Sequence, residues 1–499
     1  MTKTARILFI ILILSAALFF FSDNEVDPDL WGHLKFGEDI YTSGSIPRFD
    51  IYSYTSPGAK WINHEWLSEL IFYTVFKHAG GAGLLILKIA VGVIMVFILL
   101  YCVSGETESF FLRLAALFVT FSVIGYGFAT RPQIFTYLFF TATVFFLYRF
   151  ENTREGRWLL PLPAIFLLWA NMHGGVVAGA GVLFLYCLFR FFKRELRPGL
   201  VIITVVSFAA TFVNPYGPEL WGFLARTISR PRPYIREWEA MRATVNYVDY
   251  FAVVLLAAAG LFFSRIKRSP FEVTVLCAAF LISFLHKRHI VLFAVLFCVY
   301  IPKYIDSFMG EVLLGLERKL PQRLYVILIP FFSMFFLSSA LFFGKTNPAE
   351  IEIPGREYPV EALRFMKDNG ISGNIFCFFD WSQMCIWELS GNSRVFFDGR
   401  YRTVYGDDLI KGYFEVLYGE RDHRGFLGGF PETDIMLLHP STPLAERLTG
   451  DRAWIRIYDS PVAVMFIKKN ARNEDVVSRF RNGKLRYVPR EAGPFYLKR

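Results

Sequence analysis

Apolar residues come in long runs over the first two thirds of this chain and in short alternating stretches over the last third. Runs near 6–22, 82–102, 112–130, 132–149, 158–170, 174–191, 199–213, 247–263, 270–286, 289–303 and 325–343 stand out. Most approach the roughly 20 residues that an α-helix, rising about 1.5 Å per residue, needs to cross a hydrocarbon core of about 30 Å. The pattern predicts a polytopic α-helical membrane protein with about eleven transmembrane helices. Beyond Phe343 it changes character. Residues 359–369 have helical periodicity and meet a stop at Gly370, while 375–379, 395–397, 434–438, 454–458 and 463–468 read as strands. Strands separated by helical stretches predict a small α/β domain. The expected division is a transmembrane domain over 1–344, carrying a first outer loop at 23–79, and a soluble α/β domain over 345–499.

Composition agrees with the pattern. A hydrophobic share of 54% and 55 phenylalanines, with a mean hydropathy of +0.39, exclude an ordinary soluble protein. The net charge of +10 would suggest nucleic acid in a soluble chain. Here the basic residues fall where cytoplasmic loops belong: Arg113; Arg149, Arg154 and Arg157; Arg190, Lys193, Arg194 and Arg197; Arg265, Lys267 and Arg268; Lys303, Arg318, Lys319 and Arg323. By the positive-inside rule this sets the N-terminus in the cytoplasm and turns the first loop, the 214–246 loop and the C-terminal domain outward. No nucleic-acid partner is expected. The first run follows Lys3 and Arg6 but precedes no clean cleavage site, so it reads as an uncleaved span. Cys377 and Cys385 share the C-terminal domain and either pair in an oxidising compartment or stand as free core thiols.

The first loop is polar where the rest is apolar. It opens on Asp27-Pro28-Asp29-Leu30-Trp31-Gly32-His33 and closes on His64-Glu65-Trp66. Ionisable groups at a membrane surface cost free energy unless solvated or used. Two carboxylates two residues apart suit a divalent cation or a general base; the plainer alternative is that they cap a helix beginning at Leu30. Likewise Glu65 beside His64 is either a base or ligand, or the polar start of an amphipathic helix over 65–78. Arg131, Lys287 and Arg288 lie in outer turns, where they either clamp a lipid phosphate or snorkel to head groups. His173 has a binding or a structural role at a helix end. Asp398 and Arg400, in Phe397-Asp398-Gly399-Arg400, read mainly as a structural ion pair or a contact to the membrane domain.

An acidic loop after the first span, many spans and an outer C-terminal α/β domain resemble the C-type glycosyltransferases, a superfamily that includes oligosaccharyltransferases and protein mannosyltransferases. The segments DPDLWGHLKFGEDIYTSGSIPRFDIYSYTSPGAKWINHEWL and 374–400 (NIFCFFDWSQMCIW to RVFFDGR) are similar to bacterial members. The resemblance implies transfer of a sugar from a polyprenyl-phosphate donor to an envelope glycan, lipid or protein at the outer face of a bacterial inner membrane. Carried over, Asp29 is the expected base and Asp27 its alternative. His33, His64 and Glu65 complete the catalytic wall, while Arg131, His173, Lys287 and Arg288 bind substrate. Asp27 and Asp29 are the expected ligands of a divalent cation, Mg or Mn. Other readings are a lipid transporter or flippase, or a non-catalytic assembly protein.

Overall fold

The computed structural model describes residues 3–228, 230, 232–241, 247–343, 345–487 and 494–498. Residues 229, 231 and 242–246 of the expected 214–246 loop lie outside the described residues. The chain forms two compact units, Met1–Asn24 with Leu84–Ala349, and Glu25–Gly83 with Glu350–Arg499.

The first unit is helical, and every apolar run read from the sequence falls on a helix. The Lys3–Phe21 helix packs along Gln322–Phe342 and Phe110–Gly125. The Ile290–Tyr300 helix is buried at every residue, among Phe110–Gly125, Gln133–Thr153 and Pro270–Leu285. A helix apolar all round has no polar face to show water, so it takes the centre. Trp66–Glu106, Gln133–Thr153 and Gln322–Phe342 are long and apolar enough to cross a membrane. Lys287–Tyr300 and Pro302–Lys319, bent by 50°, make a fourth candidate if taken together. Among the described residues six further apolar helices are shorter, at 10–17 residues.

Among the described residues the second unit holds seven strands: β1 (Glu352–Ile353), β2 (Asn374–Cys377), β3 (Arg394–Val395), β4 (Ile435–Leu438), β5 (Trp454–Asp459), β6 (Val464–Lys468) and β7 (Phe495–Tyr496). The five strands expected from sequence form one sheet in the order β3-β2-β4-β6-β5, parallel through β3, β2 and β4 and antiparallel from β4 on. The two-residue β1 and β7 pair separately. The expected 359–369 helix appears as Val360–Asp368. Cys377 and Cys385 are free buried thiols.

The first loop, expected to belong with the helical region, is built into this second unit. Ser53 bridges Val395 at the free edge of β3, with Val395 N donating to Tyr52 O at 3.1 Å and Tyr54 N to Val395 O at 3.2 Å. Glu25 bridges Glu352, and Val26 N donates to Glu352 O at 2.9 Å. An open sheet edge presents unpaired N–H and C=O groups, and the loop satisfies them. Beneath this edge the Arg400 guanidinium is held by Asp398 at 2.7 Å and by Asp50 of the loop at 2.6 Å. It also sits 5.0 Å from the ring centroids of Tyr52 and Trp61. A buried cation needs paired carboxylates, and one of the two comes from the loop.

Candidate functional site

Leu30–Ser43 is the helix expected after the two aspartates, and it ends where Gly44 turns left-handed (φ 64). Asp29 occupies its N-cap, yet the side chain makes no capping hydrogen bond. Asp27 does the local work: its Oδ1 accepts from Asp29 N at 2.9 Å and its carbonyl from Leu30 N at 3.0 Å. The helix lies unusually close to its neighbours through two glycines. A Cβ at Gly37 would stand 2.1 Å from the carbonyl oxygen of Glu69, and one at Gly32 would stand 1.9 Å from Gln383 Oε1. Without side chains there, the helix seats against the start of Trp66–Glu106 on one side and Ser382–Glu388 on the other.

That approach brings His33 to Glu69. His33 Nδ1 is 3.3 Å from Glu69 Oε1, and Asn63 Nδ2 donates to Glu69 Oε2 at 2.5 Å. His64 Nε2 lies 3.7 Å from Glu65 Oε1. Burial alone would lower the His33 pKa, but the hydrogen bond to Glu69 and the charges of Glu65, Glu69 and Asp29 outweigh it, so the imidazole stands above its ordinary range. Ligand atoms of His33, Glu65 and Glu69 all lie within 4.8 Å of one another, a spacing that suits a single cation. One imidazole and two carboxylates match zinc or manganese better than magnesium, which prefers oxygen ligands and retained water. The expected Asp27–Asp29 pair is not part of this group, because Asp27 Oδ1 faces the Asp29 backbone instead.

The basic candidates lie in the helical unit and divide there. Arg131 Nη1 and Arg288 Nη1 each reach a carboxylate oxygen of Glu237 at 3.1 Å. Arg288 also donates to Gln133 Oε1 at 3.3 Å and stacks 4.7 Å above the Trp238 ring. Burial would raise the Glu237 pKa, but Arg131 and Arg288 dominate and take it down to about 2. Lys287 turns to a different carboxylate, Glu239, at 3.1 Å. His173 Nδ1 pairs with the Thr136 hydroxyl at 2.7 Å and accepts from Gly175 N at 2.9 Å. Both contacts tie off a helix end, which favours its structural reading.

No family model matches the sequence, and no curated protein matches it. Solved structures do. The archaeal oligosaccharyltransferase AglB from Archaeoglobus fulgidus, in complex with an inhibitory peptide and a dolichol-phosphate, superposes with a TM-score of 0.60 at 12% identity, covering 94% of this chain and 74% of that one. The Archaeoglobus fulgidus oligosaccharyltransferase in complex with Zn and sulfate gives 0.55 at 12%, covering 92% and 73%. A mutant of the mycobacterial arabinofuranosyltransferase AftD gives 0.51 at 12%, covering 94% of this chain and 42% of that one. The chain shares its fold with these solved structures. In this fold the loop after the first helix carries Asp29, His33 and Glu65, and beside them stand Asn63 and Glu69, which motif reading overlooked. Glu69 was within reach: it stands four residues after Glu65, on the same helical face, as a carboxylate in an apolar stretch. Glu237 had no such signal, since nothing local marks it as the meeting point of Arg131 and Arg288.

Proposed function

We propose that this chain is an integral-membrane glycosyltransferase that moves a sugar from a polyprenyl-phosphate donor to a hydroxyl of an envelope acceptor. The observation that carries the proposal is the fold, shared over 94% of the chain with an oligosaccharyltransferase solved with dolichol-phosphate and peptide. The side chains of the first loop support it. Asp29, not engaged in capping its helix, is the base. It takes the acceptor proton as the hydroxyl oxygen bonds to the anomeric carbon and the bond to the donor phosphate breaks, the electron pair leaving with that phosphate. Arg131 and Arg288 of the first unit, whose planar donors suit phosphate oxygens, are the candidate binders of a polyprenyl phosphate. A divalent cation bound by His33, Glu65 and Glu69 would add Lewis-acid character when present. Orientation follows the basic loops, with the second unit on the extracytoplasmic side of a bacterial inner membrane.

The test is sugar transfer by purified protein from a panel of radiolabelled polyprenyl-phosphate sugars to envelope extracts. Product with at least one donor, lost in Asp29→Asn, supports the proposal. Movement of the intact lipid across a vesicle without cleavage of its sugar would mark a flippase instead. A reporter active only in the cytoplasm, fused after Arg499, is expected to be silent.

A further inference from the structure

Gln383 carries a polar group that folding alone gives no reason to keep. It is 5% exposed, and its Oε1 is buried without a hydrogen-bond partner. A buried unsatisfied acceptor costs stability. Methionine has nearly the same length and would fill the space without that cost, so the amide needs another explanation.

Its surroundings supply one. The carboxamide is wedged between two glycines. On one side Gly32 leaves room for Oε1 and Cδ, which a Cβ there would meet at 1.9 and 2.4 Å. On the other side a Cβ at Gly399 would stand 2.6 Å from Gln383 Nε2 and 2.6 Å from Asp29 Oδ1. The amide nitrogen and the carboxylate therefore border the same small space over Gly399. In this orientation the amide presents its donor, and not its oxygen, to the space it shares with the carboxylate, and Oε1 is left without a partner.

We propose that Gln383, from the Ser382–Glu388 helix, is a positioning residue for Asp29. It rests on the reading of Asp29 as the base. In the reacting complex Nε2 donates to Asp29 Oδ1 and fixes the carboxylate plane, which leaves Oδ2 to receive the acceptor's proton. A base held by a locked neighbour is placed at no cost at the moment of reaction.

The experiment compares Gln383→Met, Asp29→Asn and the double variant in the full-length protein, in detergent or nanodiscs. Gln383→Met is expected to melt at or above the wild-type temperature, because the orphaned acceptor is gone. It is expected to keep the wild-type KM for the donor and to lose at least tenfold in kcat. Gln383→Glu, which keeps the shape but sets a second carboxylate beside Asp29, should also be slow. Wild-type turnover by Gln383→Met overturns the proposal, as does a rate loss matched by a fall in melting temperature, the mark of a packing role. If the wild type transfers no sugar from any donor, the functional reading fails and the double-mutant cycle decides. Non-additive melting shifts for Asp29→Asn and Gln383→Met then support the pairing, and additive ones overturn it.

Discussion

Arg400 Nη2 meets Asp50 Oδ1 at 2.6 Å, joining the turn after β3 to a residue that precedes it by 350 positions. Both side chains are buried, and Ser53 Oγ donates to the other Asp50 oxygen at 2.5 Å. Asp398 still pairs with Arg400 when the Asp50 charge is removed, so what is lost is the charge-assisted bond that ties the loop to the turn. Asp50→Asn is expected to cost about 1.5–3 kcal/mol, read as a lower melting temperature and earlier proteolysis within residues 45–60. Loss confined to sugar transfer, with unchanged melting, would contradict this role.

Gly399→Ala should act on Asp29 without touching its chemistry. The new Cβ would stand 2.6 Å from Asp29 Oδ1, so the carboxylate has to move. Misplacing a reacting group by about 1 Å costs on the order of a hundredfold in rate. The expected result is such a loss in kcat with donor binding intact. Unaltered kcat would show that the seat over Gly399 does not govern the base.

Asp29→Asn separates base from cap. Loss of a general base costs about two to four orders of magnitude, whereas asparagine caps a helix about as well as aspartate. Because the Asp29 side chain makes no capping hydrogen bond, melting should be unchanged while transfer falls. Asp27→Asn is expected to weaken the turn at Asp29 and to slow transfer less.

Glu237 predicts a pH window. Its folded pKa is about 2 against an ordinary 4.5. A depressed carboxylate contributes stability that is fully present above the unfolded value and lost as pH falls through the folded one. Melting temperature should therefore drop between about pH 4.5 and pH 2 in the wild type, and drop less steeply in Glu237→Gln. The same variant releases Arg131 and Arg288 from their shared carboxylate and should bind polyprenyl phosphate more tightly. Weaker binding would remove the two arginines from the donor site.

Zinc or manganese should raise the melting temperature if His33, Glu65 and Glu69 form a cation site. A ligand at a hundred times its Kd adds about 2.7 kcal/mol. His33→Ala and Glu65→Gln are expected to abolish the shift and Asp27→Asn to keep it. The reverse result would return the cation to the aspartate pair.

Much of the architecture was legible in the order of residues, because apolar runs and alternation are local signals. Each long run became a helix, and the five strands and the Val360–Asp368 helix lie within a few residues of where patterning set them. The polar first loop was legible too, since acids and histidines beside apolar runs are conspicuous. What joins the loop to the rest was not. The free edge of β3 accepts Tyr52–Tyr54, and Arg400 takes Asp50 as its second carboxylate, across more than 300 residues. Glycine at 32, 37 and 399 looks permissive in sequence, yet each marks a close approach that only the packed chain reveals. Partner choice among the basic residues was decided the same way: Arg131 and Arg288 share Glu237 while Lys287 takes Glu239. Periodicity is set by neighbours along the chain. Edge pairing, close approach and the choice of counter-ion are set by whichever distant groups the fold brings within reach.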